Sequence, residues 1–133
     1  MQKIRQNKML QEVIQLFLSG NSALNTLVNG QIYPVIAPAT VTNNYIVHSG
    51  IATPVYSKSG REYDEFDYSI FIASQNYSDN NTIATFVRSI IEFKLGIFEE
   101  IKILKNEITS IDELYSEEDQ AFLKRIQLKI IVI

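Results

Sequence analysis

The chain has 133 residues, 46% of them hydrophobic and 20% charged, with a formal net charge of −3. This is globular composition, enough for a single domain over residues 1–133 with its own core, and the acidic balance argues against a sequence-independent grip on nucleic acid, which needs clustered Lys and Arg. The absence of cysteine excludes disulfides and thiolate metal sites, and no run approaches the roughly 18 apolar residues of a membrane span.

The basic N-terminal stretch is followed by no apolar signal-peptide core, so a chain made and kept in the cytosol is expected. Met9, Leu10, Val13, Ile14, Phe17 and Leu18 form one apolar stripe at helical period, with Lys8, Gln11, Glu12 and Gln15 on the other face and Gly20 as a left-handed stop. Ser22 is placed to cap a second, short helix that Gly30 ends. Two of the three prolines, Pro34 and Pro38, then straddle Val35, Ile36 and Ala37. Proline gives no N–H to a ladder, so this segment is expected to be an extended connector rather than a central strand.

Residues 44–57 and 61–74 are rich in β-branched and aromatic side chains and flank Ser57, Lys58, Ser59 and Gly60, a hairpin signal with a turn of about four residues. Phe66, Tyr68, Ile70 and Ile72 share one face of the second strand, and Glu65, Asp67 and Ser69 the other. Ile83, Phe86, Val87, Ile90, Ile91 and Leu95 predict an amphipathic helix closed by Gly96. A short alternating run follows with Ile101 and Ile103, then an acidic loop over 106–120, then a terminal strand with Ile126, Leu128, Ile130 and Val132 on one face. The expected fold is α+β: an antiparallel sheet of about four strands with an N-terminal helix pair and one central amphipathic helix packed on one face.

Residues fit for chemistry are few. The only histidine is His48, inside a predicted strand; without a second His or any Cys, zinc chemistry and nucleophilic triads lose their usual groups. Glu62 and Asp64 on one strand face and Glu65 and Asp67 on the other, each pair about 7 Å apart, could hold a divalent cation as in carboxylate-dependent nucleases, or could simply keep a hairpin end soluble. The scattered glycines build no phosphate loop. No cofactor is expected, and no enzyme.

The order of the pieces carries a resemblance. Leu24, Leu27, Val28, Gly30, Ile32, Tyr33, Pro34, Ala37 and Pro38, then Tyr45, Ile46 and Val47, then the strand-to-helix unit Phe66–Ser74 and Ile83–Leu95, resemble the small phage tail completion or tail terminator proteins. Gln31, where a basic residue is common, and Asn43-Asn44, where a proline is common, depart from that pattern. The resemblance implies a structural virion protein of a phage or prophage, a ring of identical copies (commonly six) that caps the tail tube and meets the head connector, with no membrane and no specific nucleic acid as partner. It would sit at the tail–head junction of the virion, after assembly in the host cytoplasm. On that reading the hairpin tip Ser57–Gly60 is a candidate interface. The acidic loop with Glu113, Glu117, Glu118 and Asp119 is a candidate ring surface or lumen that would repel passing DNA. Another neck or adaptor protein, a non-phage binding module and a carboxylate-dependent metal enzyme remain the alternatives.

Overall fold

A computed structural model describes the backbone of residues 2–41 and 43–133 and the side chains of residues 10–41, 43–60 and 62–133. The side chains of Lys8 and Met9, part of the expected first helix stripe, lie outside the described residues. Elements run α1 (Gln2–Ser19), α2 (Ser22–Val28), β1 (Ile32–Pro34), β2 (Tyr45–Ser57), β3 (Gly60–Ser74), α3 (Tyr77–Ile91), β4 (Gly96–Phe98), β5 (Ile101–Ser116) and β6 (Ala121–Val132). The strands form one sheet in the order β1-β2-β3-β6-β5-β4.

The expectation of about four antiparallel strands with a central helix is overturned. Nearly half of the chain is strand, in a six-stranded mixed sheet shaped as a half-barrel, with only small helices. Three departures account for this. The proline connector contains an edge strand, β1, which pairs parallel to β2 through Ile32–Pro34 and Ile46–His48; an edge tolerates the proline that a central strand does not. Gly96 opens β4 instead of closing a helix, with φ +123. The acidic stretch expected to be a loop is mostly β5, which includes Asp112 and Glu113, and only residues 117–120 turn. Irregularities between Ile103 and Lys105 and between Ile108 and Ser110 break its alternation, which hid the strand from a period-2 reading.

Helix boundaries shift for reasons of capping. Asn21, not Ser22, caps α2, accepting the Leu24 N–H at 2.9 Å, and Asn29 ends it with a left-handed φ of 54. Gly20 is not left-handed. Asn76 caps α3 seven residues before Ile83, accepting the Asp79 N–H at 2.7 Å and donating back to the Asp79 carboxylate at 2.9 Å. The helix stops at Ile91; Leu95 lies beyond it and is exposed.

Alternation decides which face of the sheet is covered. Phe66, Tyr68, Ile70 and Ile72 of β3 and Ile126, Leu128, Ile130 and Val132 of β6 point to the helices, where they meet Leu10, Val13, Ile14 and Leu18 of α1 and Ile83, Val87 and Ile91 of α3. Each such side chain contributes about 1.5–3 kcal/mol by leaving water. The other face carries no helix: Val47, Phe71, Arg125 and Asp112 make one row across β2-β3-β6-β5, and Ile51, Asp67, Lys129 and Glu107 another. In the second row acid, base and acid alternate on neighbouring strands, an arrangement that favours the observed register.

Two buried asparagines fasten α3 to this sheet. Near its start, the Asn80 amide donates to the Ile72 carbonyl of β3 at 3.2 Å and the Phe122 carbonyl of β6 at 3.0 Å. At its end, Asn106 of β5 donates to the Ile91 carbonyl at 2.9 Å and the Lys94 carbonyl at 3.3 Å.

Candidate functional site

His48 takes no part in any open site. Its side chain is fully buried, its Nδ1 lies 2.7 Å from the Tyr68 hydroxyl and its Nε2 2.7 Å from the Gln15 Oε1. The Gln15 amide donates to the Ile32 carbonyl at 2.9 Å, so Oε1 is left as an acceptor. That fixes the tautomer: Nε2 carries the proton and donates to Gln15, and Nδ1 accepts from Tyr68. The chain joins α1, β1, β2 and β3 at one point. Burial pushes the His48 imidazole down to about 4 and raises the Tyr68 phenol above its ordinary range.

A histidine held neutral in the fold but free to protonate in the unfolded chain makes stability depend on pH. The contribution is fully present above the unfolded value of 6.5 and is lost as pH falls toward about 4. The expected loss is about 2 kcal/mol between pH 7 and pH 5. His48→Gln should remove most of that slope; urea unfolding at the two pH values checks it.

The carboxylates of β3 are spread apart. Asp64 is buried on the helix side, Glu65 and Asp67 point to the bare face and Glu62 is exposed. Among the described residues no three His, Asp or Glu side chains converge as a metal site would require, and no helix is long and apolar enough to cross a membrane.

The two loops singled out from the sequence stand at opposite ends of the sheet. Ser57 pairs with Gly60 around a two-residue turn of Lys58 and Ser59, tighter than the expected four. Ser57 Oγ accepts the Ser59 N–H at 3.3 Å and donates to the Gly60 carbonyl at 3.4 Å. The turn between β5 and β6 holds Glu117, Glu118 and Asp119 at the other end, with the Asp119 N–H on Ser116 Oγ at 3.2 Å. Glu113 is in the strand, not in that turn. Lys124 Nζ lies 3.1 Å from Glu113 and donates to Asn81 at 2.7 Å, and Arg125 Nε donates to Asp112 at 3.1 Å. Within 112–119, Asp112 and Glu113 thus face a cation, and among the described residues none is placed against Glu117, Glu118 or Asp119.

Residues that sequence reasoning did not single out mark the two edges of the sheet. β1 covers only three residues of β2, and β4 only three of β5. Beside β1, Val35 adopts φ 68 and its successor's N–H returns to the Pro34 carbonyl at 2.8 Å, a tight three-residue turn that is strained for a β-branched residue. This turn presents Ile36, 77% exposed, and Val35 to solvent. A groove of about 480 Å³ lined by Gln11, Glu12, Gln15, Leu16 and Pro34 lies on the same side, and Ile51 of β2 is 73% exposed. At the opposite edge Phe93, Leu95, Ile97 and Leu104 are exposed, Phe93 and Ile97 at 71% each. The described residues thus expose apolar side chains at both edges of the sheet. The sequence signal was there in principle: Ile51 and Ile97 are apolar at positions whose neighbours assign them outward.

No protein-family model and no curated protein matches the chain. In three dimensions it is similar to a chain of a solved structure described as "Virion of native gene transfer agent (GTA) particle", at 14% identity and a TM-score of 0.77, covering 92% of this chain and 93% of that one. The likeness at this identity establishes the fold: nearly the whole chain shares the architecture of a chain found in a gene transfer agent virion.

Proposed function

We propose that this chain is a structural virion protein, a tail terminator or tail completion protein that forms a ring at the end of a tail and joins it to the head. The observation that carries the reading is the end-to-end fold likeness to a chain of a virion particle. The pattern of residues 24–47 and the two apolar edges support the finer assignment. A ring of identical copies needs two different patches that meet around a closing rotation, and the molecule offers one at each side of its sheet. The hairpin tip Ser57–Gly60 and the acidic turn 117–119 then face opposite ways along the ring, one toward the tail tube protein and the other toward the head connector. The negative charge of Glu117, Glu118 and Asp119 keeps DNA from adhering as it passes. The work is done by subunit interfaces, at the tail–head junction, and involves no catalysis.

Incubating the purified chain with tail tubes and imaging them tests this. Ring-shaped caps confined to one end of each tube are expected, and tubes left bare would overturn the reading. The groove beside Leu16 and Pro34 favours a second reading, a neck or adaptor protein of the same kind of particle that receives a partner segment as a monomer. Decoration elsewhere in the neck would select it.

A further inference from the structure

We propose that copies of this chain join by strand addition, the outer edge of β5 of one copy pairing antiparallel with the outer edge of β2 of the next, so that the sheet runs unbroken across the boundary. This deepens the ring reading above and rests on it. Strand directions permit the pairing: β2, β3, β6 and β5 alternate in direction, so β5 runs opposite to β2. A neighbour added side by side brings these two edges together antiparallel.

Both edges have unused backbone groups at that boundary. The Ile46 N–H donates to the Gln31 carbonyl at 2.9 Å and the His48 carbonyl accepts from Val35 at 2.8 Å, so even-numbered residues of β2 turn their polar groups outward. Alternation continues this to Gly50, Ala52 and Pro54, since the strand is regular until the irregularity after Val55. Followed through the registers of β3 and β6, the same alternation turns Asp112, Leu114 and Ser116 toward β6 and leaves Glu113 and Tyr115 facing out. Among the described residues no strand pairs with β2 beyond His48 or with β5 beyond Ile103 on those sides.

Three independent constraints choose one register. β1 occupies the edge of β2 up to His48, so an incoming β5 must end opposite Ser49; its last residue is Ser116. The irregularities in the two strands, after Val55 and before Ser110, then fall opposite each other, leaving two regular segments, 49–55 and 110–116. In this register Ile51, 73% exposed, lies directly opposite Leu114, 60% exposed, on the bare face. Gly50 with Tyr115 and Ala52 with Glu113 exchange two hydrogen bonds each, and the Pro54 carbonyl accepts one from Ile111. Pro54 has no N–H, and the ladder stops there.

The geometry closes. Within one copy Ser49 is level with Ser110 through Ser69 and Gln127, whereas the contact needs Ser116, a shift of six residues (116 − 110). At about 3.3 Å per residue that is roughly 20 Å, against a repeat four strands and about 19 Å wide, which tilts the strands by about 45°. Closed sheets have strand tilts of about 35–45°.

The absence of native cysteine makes the test clean. Ile51 and Leu114 would be a non-hydrogen-bonded pair, with Cα atoms about 4.5 Å apart, inside the range a disulfide spans. The full chain carrying Ile51→Cys and Leu114→Cys, assembled on tail tubes and oxidised, is expected to give covalent multimers that stop at the size of the ring. Thr53→Cys with Asp112→Cys reads the same register. Ile51→Cys with Glu113→Cys, whose side chains point to opposite faces, is expected to stay monomeric on a denaturing gel. Rings on the tubes with no cross-link from either matched pair would overturn strand addition and leave the ring standing. Bare tubes and no cross-link would overturn both. Cross-linked open chains would keep the edge pairing and remove the ring.

Discussion

Gly50→Ala is expected to lower unfolding free energy by about 3 kcal/mol, more than a surface strand substitution ordinarily costs. Gly50 is directly opposite Tyr68, and a Cβ there would sit 2.3 Å from Tyr68 Cδ2 and 2.9 Å from Cε2. These atoms belong to the body of a ring that is 1% exposed, so no flexible end can move aside. Turning the ring away breaks the 2.7 Å bond between its hydroxyl and His48 and strands a buried nitrogen. Urea unfolding measures the loss. A double-mutant cycle with Tyr68→Ala should show coupling above about 1 kcal/mol, because without the ring the added methyl enters vacated space. An alanine tolerated at full stability would mean that the ring does not lie over Gly50.

The second large effect is expected at the two asparagines that hold α3. Asn80→Leu and Asn106→Leu keep the side chain's branching and heavy-atom count but remove the amide donors, each breaking two hydrogen bonds to backbone carbonyls and placing a bulkier apolar group there. A cost of about 2 kcal/mol is expected for each. The sites lie at opposite ends of a helix of 15 residues, far enough apart for the two losses to add. A double variant no less stable than either single one would show that the ends of α3 are not fastened separately.

The parts of this fold that could be read from the sequence are those where one period persists. Leu10, Val13, Ile14 and Leu18 keep a helical stripe, and all four are buried. Residues 66–70 and 126–130 keep strict alternation, and their apolar members form part of the core. The unread parts break a period or are too short to have one. β1 and β4 have three residues each, too few to show a period; β1 is set by edge pairing with β2 across a connector, and β4 by a tight hairpin with β5. β5 changes phase at its irregularities, so its acidic second half looked like a loop. The tight approach of Gly50 to Tyr68 and the fastening role of Asn80 follow from register and packing between distant segments, which no local pattern encodes.

The candidate site divides in the same way. Both turns, 57–60 and 117–120, carry local turn chemistry. That they point to opposite ends of the sheet depends on β6 lying between β3 and β5. The open edges depend on how little of β2 and β5 is covered by β1 and β4. Exposure of Leu114 thus became visible only once strand order was known.

Native mass spectrometry of the wild-type chain, alone and on tail tubes, tests most directly the claim that this is a head-to-tail ring protein. On the tubes one closed species is expected, its mass a whole multiple of the 15.2 kDa chain and unchanged as concentration rises. A monomer that ignores tubes, or a dimer that grows no further and so uses one self-complementary patch, would contradict it.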